Sequence, residues 1–266
     1  MQAVRVDGLD IAYRREGEGP PLVLVHGATL DSRMWQPQLS ALADEFTVVA
    51  WDEPGAGRSS DVPGDLGLAG YANCLGALIE TLAFGPAHVA GISWGGTVVQ
   101  ELYRHRPELV GTLILVDTYA GWKGSLPEKE VRGRVAAVLE ALEAPRGQAE
   151  PLPGWFAGAP PAEFVPLLDE MAADVRAESL RHAVFVMAEA DQRDLLTQIG
   201  VPTLLIWGER DARSPLSVAR EFERTIPDTE LVVIPGAGHV SNLERPEEFN
   251  RAVREFCRAH AARTRR

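Results

Sequence analysis

The sequence predicts an α/β fold: a mostly parallel, doubly wound sheet that carries an inserted helical segment. Three features predict it. Short aliphatic and β-branched runs such as Leu22–Val25 lack polar alternation, as strands buried on both faces require. Segments of helical period separate these runs, and that alternation marks βαβ units. Between Tyr119 and about Leu195 the alternation lapses into helical periods alone, then resumes. Residues 1–118 and 196–266 are therefore expected to form one core, with residues 119–195 inserted. A chain of 266 residues, 45% hydrophobic and 24% charged, has material for one large domain.

Each element has a local reason. Val4–Val6 and Leu9–Tyr13 flank Asp7-Gly8, a pair that tolerates positive φ and so predicts a hairpin. The strand Leu22–Val25 ends in His26-Gly27-Ala28-Thr29. Met34–Ala43 has helical period, with Asp31 or Ser32 as N-cap. Phe46–Trp51 is a second buried strand, and the turn residues Asp52 to Ser59 follow it. Leu68–Leu82 is helical, an apolar run from Ala87 follows, and a helix over Gly95–His105 stops before Pro107. Gly111–Val116 is a strand that ends at Asp117. In the insertion, Glu128–Ala144, Ala162–Ala173 and Ala177–Ala190 are helical, and the stretch from Pro145 to Pro161 is rich in Pro and Gly. Then come strand Thr203–Trp207, helix Leu216–Thr225, strand Glu230–Ile234 and helix Glu247–His260. The basic tail Ala261–Arg266 is expected to fray.

The formal charge of −12 argues against nucleic acid or an anionic membrane as partner, because both would repel the chain. Cys74 and Cys257 lie too far apart in sequence to suggest a disulfide framework or a metal site. Met1–Val6 lacks the basic and apolar regions of a signal peptide, and no stretch approaches a membrane span. A cytoplasmic protein acting on a small molecule is expected, and its oligomeric state is left open.

The chemistry centres on Gly91-Ile92-Ser93-Trp94-Gly95-Gly96, a G-x-S-x-G between a strand and a helix. A serine at so sharp a turn needs strained dihedrals and neighbours with almost no side chain. Its hydroxyl then stands above the sheet edge, and the Trp94 N–H at the new helix terminus can face a developing oxyanion. In a parallel sheet, functional groups collect at the carboxyl ends of strands. Those positions hold His26, Asp52, Ser93, Asp117, Asp211 and His239. A serine hydroxyl needs a neutral imidazole to take its proton and a carboxylate to orient that imidazole. Asp211 and His239 follow Ser93 in the order expected for this turn. Asp117 also ends a strand and is the rival acid. His26 reads as a strut for the turn after its strand, and Asp52 as a turn cap. The aromatic residues Trp122, Trp155, Phe156, Phe164 and Phe185, with Met187, read as packing from which an apolar pocket could draw.

Taken together and in order, these motifs resemble the α/β-hydrolase superfamily over nearly the whole chain. The resemblance implies Ser93 as nucleophile, His239 as general base and then acid, and Asp211 as the orienting carboxylate. It also implies that the Ala28 N–H joins Trp94 N–H in the oxyanion hole, that residues 119–195 form a helical lid, and that no metal or organic cofactor is required. Ser93 argues against haloalkane dehalogenases and epoxide hydrolases, whose elbow carries aspartate. Val240 stands where meta-cleavage carbon–carbon hydrolases usually have tryptophan. Gly-x-Ser-Trp-Gly-Gly is similar to prolyl aminopeptidases, but their glycine- and proline-rich oxyanion segment is missing. The stretch Asp31-Ser32-Arg33-Met34-Trp35-Gln36-Pro37-Gln38-Leu39 looks most like 3-oxoadipate enol-lactonases and small esterases. The expected activity is hydrolysis of a carboxylic ester or lactone of a small apolar substrate. A carbon–carbon bond hydrolase or acyl transferase on the same residues is the alternative, and a ligand-binding receptor a third reading.

Overall fold

The computed structural model describes residues 1–143 and 154–264. One eight-stranded sheet organises them: β1 (Gln2–Val6), β2 (Leu9–Glu16), β3 (Pro21–Val25), β4 (Thr47–Trp51), β5 (Ala87–Ile92), β6 (Val110–Val116), β7 (Thr203–Gly208) and β8 (Thr229–Ile234). Its order is β1-β2-β4-β3-β5-β6-β7-β8. The pairings of β2 with β1 and β4 are antiparallel, and all others are parallel. Asp7 and Gly8 join β1 to β2 with φ of 46° and 88°, the two positive values a tight hairpin turn needs.

The helices are α1 (Gln36–Leu42), α2 (Leu68–Thr81), α3 (Trp94–His105), α4 (Trp122–Ser125), α5 (Glu128–Glu143), α6 (Val165–Ala173), α7 (Ala177–Glu189), α8 (Arg193–Leu196), α9 (Leu216–Thr225), α10 (Ser241–Glu244) and α11 (Pro246–Ala259). Strand period 2 sorts the core between the two sheet faces. Val23, Val25, Val89 and Leu205 pack with Leu75 of α2, Val98 of α3 and Phe222 of α9. Leu22, Leu24, Ala90 and Ile206 face the other way, toward Leu39 of α1 and Phe249 and Val253 of α11. Burial on both faces is why these strands read as unbroken apolar runs. From β3 the sheet grows toward β4 on one side and β5 on the other, so the winding reverses between β3 and β5. Crevices open at such a reversal, outside the carboxyl ends of the strands.

Between β6 and β7 the chain forms α4 to α8, with no strand among the described residues. Ala144 and the Pro/Gly-rich stretch up to 153 lie outside the described residues. Two expectations need correction. The helix read over Met34–Ala43 is split into a 3-10 turn (Ser32–Trp35) and α1. Pro37 has no N–H to give the Arg33 carbonyl, so a continuous α-helix would lose a bond there. The Gln36 N–H takes that carbonyl instead, and Asp31 caps the turn by accepting from the Arg33 N–H at 2.9 Å. The tail does not fray as far as Thr264. A 3-10 turn (Ala261–Arg263) returns it to the sheet, where Thr264 is buried with its Oγ1 3.4 Å from His88 Nε2. His88 in β5 also meets Thr112 Oγ1 at 2.8 Å, and burial pushes its imidazole down to about 4. A neutral buried ring needs such polar partners, and the tail supplies one.

No helix among the described residues is long and apolar enough to cross a membrane. Among the same residues no group of three or more His, Cys, Asp or Glu is arranged to hold a metal.

Candidate active site

Ser93 sits between β5 and α3 with φ 53° and ψ −119°, a strained backbone for any residue but glycine. The surroundings hold it there. Its N–H donates to Val116 O at 2.9 Å, and its carbonyl accepts from Thr118 Oγ1 at 2.5 Å. A Cβ on Gly91 would strike the Gly95 carbonyl, and one on Gly95 would strike the Val25 carbonyl. Strand and helix can approach this closely only because both positions lack side chains.

Three expected residues meet. His239 Nε2 lies 2.9 Å from Ser93 Oγ, and His239 Nδ1 lies 2.9 Å from Asp211 Oδ2. Asp211 Oδ1 accepts from the N–H groups of Arg213 (2.7 Å) and Ser214 (2.8 Å), which fixes the carboxylate. An ionised carboxylate only accepts, so the ring proton belongs on Nδ1 and Nε2 is free to accept the serine proton. The loop bearing His239 is anchored through its backbone. His239 N–H and Val240 N–H both donate to Trp155 O, at 2.8 and 3.2 Å, and Gly238 N–H donates to Glu244 Oε1 at 2.8 Å.

Asp117, the rival acid, does not touch the imidazole in this arrangement. Its Oδ1 accepts from Gly208 N–H at 2.7 Å and its Oδ2 from Ser241 Oγ at 2.6 Å. It therefore ties the turn bearing Asp211 to the loop bearing His239. Burial, and then the charge of Asp211, hold its carboxyl well above the usual range.

His26 is committed elsewhere. Its Nδ1 donates to Gly27 O at 2.8 Å, since Nε2 is occupied as acceptor of the Glu53 N–H at 3.1 Å. The loop it props packs on Ser93, for a Cβ on Gly27 would lie 3.4 Å from Ser93 Cβ. The N–H groups of Ala28 and Trp94, on either side of this contact, have no acceptor among the described residues. Asp52 clamps the turn after β4 by accepting from Ser32 N–H and Arg58 N–H, each at 2.8 Å.

Sequence reasoning missed Glu53. It is buried at the end of β4, and its Oε2 accepts from the Trp94 indole at 2.7 Å. Burial pushes its carboxyl up to about 7, with Asp52 adding to the rise while His26 and the indole oppose it. A charged residue in the middle of turn chemistry was the available signal, but nothing in the spacing links it to Trp94. The consequence for stability has a definite sign. The folded value lies above the reference of 4.5, so folding favours the protonated form. Stability is full below that reference, declines as pH rises to about 7, and is level above it. The Glu53→Gln variant keeps an acceptor for the indole and escapes this loss. Its stability relative to wild type should rise by about 2–3 kcal/mol between pH 4.5 and pH 8. Urea unfolding at the two pH values checks this, and an equal difference at both would contradict it.

Ser93 and His239 open on a pocket, itself open to solvent and with about 500 Å³ of free space, walled by Leu30, Met34, Trp122, Val138, Trp155, Leu180, Met187 and Val240, with Arg213 also on its lining. Trp122, Val138, Trp155, Leu180 and Met187 belong to the segment between β6 and β7. Phe185 of that segment points outward and is 50% exposed, while Trp35 and Trp51 are core residues. Which of the aromatic residues would reach the cavity depended on helix rotation, which the sequence did not fix.

A family model described as the alpha/beta hydrolase family matches residues 22–252. The pimeloyl-[acyl-carrier protein] methyl ester esterase of Chromobacterium violaceum is 30% identical, over 92% of this chain and 97% of its own. 3-Oxoadipate enol-lactonase 2 of Acinetobacter baylyi is 29% identical, over 92% of this chain and 91% of its own. Among solved structures, a thermophilic esterase from Thermogutta terrifontis superimposes with a TM-score of 0.85 at 32% identity, covering 98% of this chain and 99% of that one. The chain belongs to the alpha/beta hydrolase family and is a hydrolase with esterase and lactonase relatives.

Proposed function

We propose that the protein hydrolyses a carboxylic ester or lactone with a small apolar acyl part, through an acyl-enzyme on Ser93. The observation that carries this reading is the unbroken relay Asp211–His239–Ser93 at the mouth of an apolar cavity. In this scheme Ser93 Oγ attacks the carbonyl carbon while its proton passes to His239 Nε2. The N–H groups of Ala28 and Trp94 receive the oxyanion, each worth roughly 3 kcal/mol of barrier. Collapse breaks the bond to the alkoxide, which leaves with the proton held by His239. The imidazole then takes a proton from water, the hydroxide attacks the acyl-enzyme, and the acid departs as Ser93 regains its proton. Asp211 stays ionised throughout and stabilises the imidazolium. Residues 119–195 act as a lid that excludes water and shapes the acyl site. The names of the relatives, a methyl ester esterase and an enol-lactonase, support the same bond class.

The test is a pre-steady-state assay on p-nitrophenyl esters of increasing acyl length, beside simple lactones. A burst equal to the enzyme concentration, followed by slower turnover, is expected for the p-nitrophenyl esters. A folded protein that turns over none of the panel would overturn the assignment.

A further inference from the structure

We propose that Glu53 is a positioning residue for the oxyanion hole, acting through the Trp94 indole, and that the hole works at full strength only while the Glu53 carboxyl is neutral. The inference rests on the reading of Trp94 N–H as an oxyanion donor. Its basis is geometric. Trp94 contributes a backbone N–H beside Ser93, and its indole is held at the other end by Glu53 Oε2 at 2.7 Å. The indole has little freedom to move, being buried and set edge-on against Tyr71 with ring centroids 5.4 Å apart. The backbone of Glu53 is joined to the same loop from below, its N–H donating to the His26 ring that also holds Gly27 O. One residue therefore braces both sides of the hole.

The groups that face this carboxyl are His26 from the end of β3, Asp52 beside it, and Tyr71 and Trp94 from α2 and α3. Tyr71 is neutral, since burial and then the charge of Glu53 push its phenol up. A second pocket, open to solvent and with about 430 Å³ of free space, is lined by Ala28, Thr29, Leu30 and Glu53. Its other charged walls are engaged: Arg176 pairs with Asp61 at 2.6 Å, and Arg33 joins Asp31 and Asp174 at 2.6 and 2.7 Å. An ionised Glu53 places a negative charge at the indole end of Trp94, the residue whose backbone N–H would meet the charge of the transition state. The neutral acid keeps the same hydrogen bond without that charge. Burial sets the changeover near pH 7.

The experiment compares wild type with Glu53→Gln, which accepts from the indole but cannot ionise. The ratio of their kcat/KM values cancels the pH effects that both enzymes share. That ratio should rise roughly tenfold between pH 5.5 and 9, as a single step centred near 7, with the change carried by kcat. A purely structural role for Glu53 would give a ratio that is constant with pH, and that result would overturn the inference while leaving ester hydrolysis by Ser93 intact. Absence of ester turnover by wild type at every pH would overturn the functional reading, and this inference with it. Trp94→Phe provides the second arm. Without the indole the link from Glu53 to the hole is broken, so the step seen on adding Glu53→Gln to Trp94→Phe should largely disappear. A step that keeps its full size would also overturn the role assigned to the indole.

Discussion

Ser93→Ala should lower kcat for the best p-nitrophenyl ester by about 10⁵- to 10⁶-fold, with KM little changed. The remaining groups would still bind substrate and polarise its carbonyl, so a residue of catalysis over water persists, but no acyl-enzyme can form. The burst disappears with the nucleophile. Stability makes a useful control, because alanine is no more at ease than serine at φ 53°. The variant should therefore unfold within about 0.5 kcal/mol of wild type. Ser93→Gly should lose the same activity and gain about 1–2 kcal/mol, since glycine relieves the strain that the elbow imposes. A Ser93→Ala protein with near-normal turnover would show that the nucleophile lies elsewhere.

The second large effect is expected at Asp211, and it follows from the hydrogen bonds alone. In Asp211→Asn, the carbonyl oxygen of the new amide would take the two backbone N–H groups of Arg213 and Ser214. The amide nitrogen would then point its N–H at His239 Nδ1, which must accept. That moves the ring proton to Nε2, so the imidazole donates toward Ser93 Oγ where it needs to receive. A wrong tautomer with correct geometry should cost about 10⁴ in kcat. Asp117→Asn is the informative comparison. Its side chain meets Gly208 N–H and Ser241 Oγ, not the imidazole, so kcat should fall by less than about tenfold. Steady-state kinetics on the two variants with one ester decides between the carboxylates. A larger loss at Asp117 would reverse their roles.

Much of this arrangement was legible because it depends on local constraints. The buried strands announce themselves through Leu22–Val25 and Gly111–Val116, and the elbow through glycines whose Cβ atoms would collide with backbone. The order of Ser93, Asp211 and His239 along the chain pointed to residues that the fold does bring within hydrogen-bond reach. What stayed hidden depends on through-space neighbours. Glu53 and Trp94 are 41 residues apart and meet only because β4 and β5 both flank β3. The anchoring of Thr264 beside His88 joins residues 176 apart, and no local pattern at a basic tail encodes it. Boundaries failed where a single missing N–H mattered, as at Pro37.

The carbonyl of Trp155 links two jobs that could have been separate. It receives the N–H of His239 and of Val240, and a Cβ on Gly238 would strike the Ala157 amide. The strip that walls the cavity is thus stitched to the backbone of His239 itself. Peeling it back to widen the entrance would strip both amides of their acceptor and loosen the imidazole. Entry through that side would cost the hydrogen bonds that hold His239 in place.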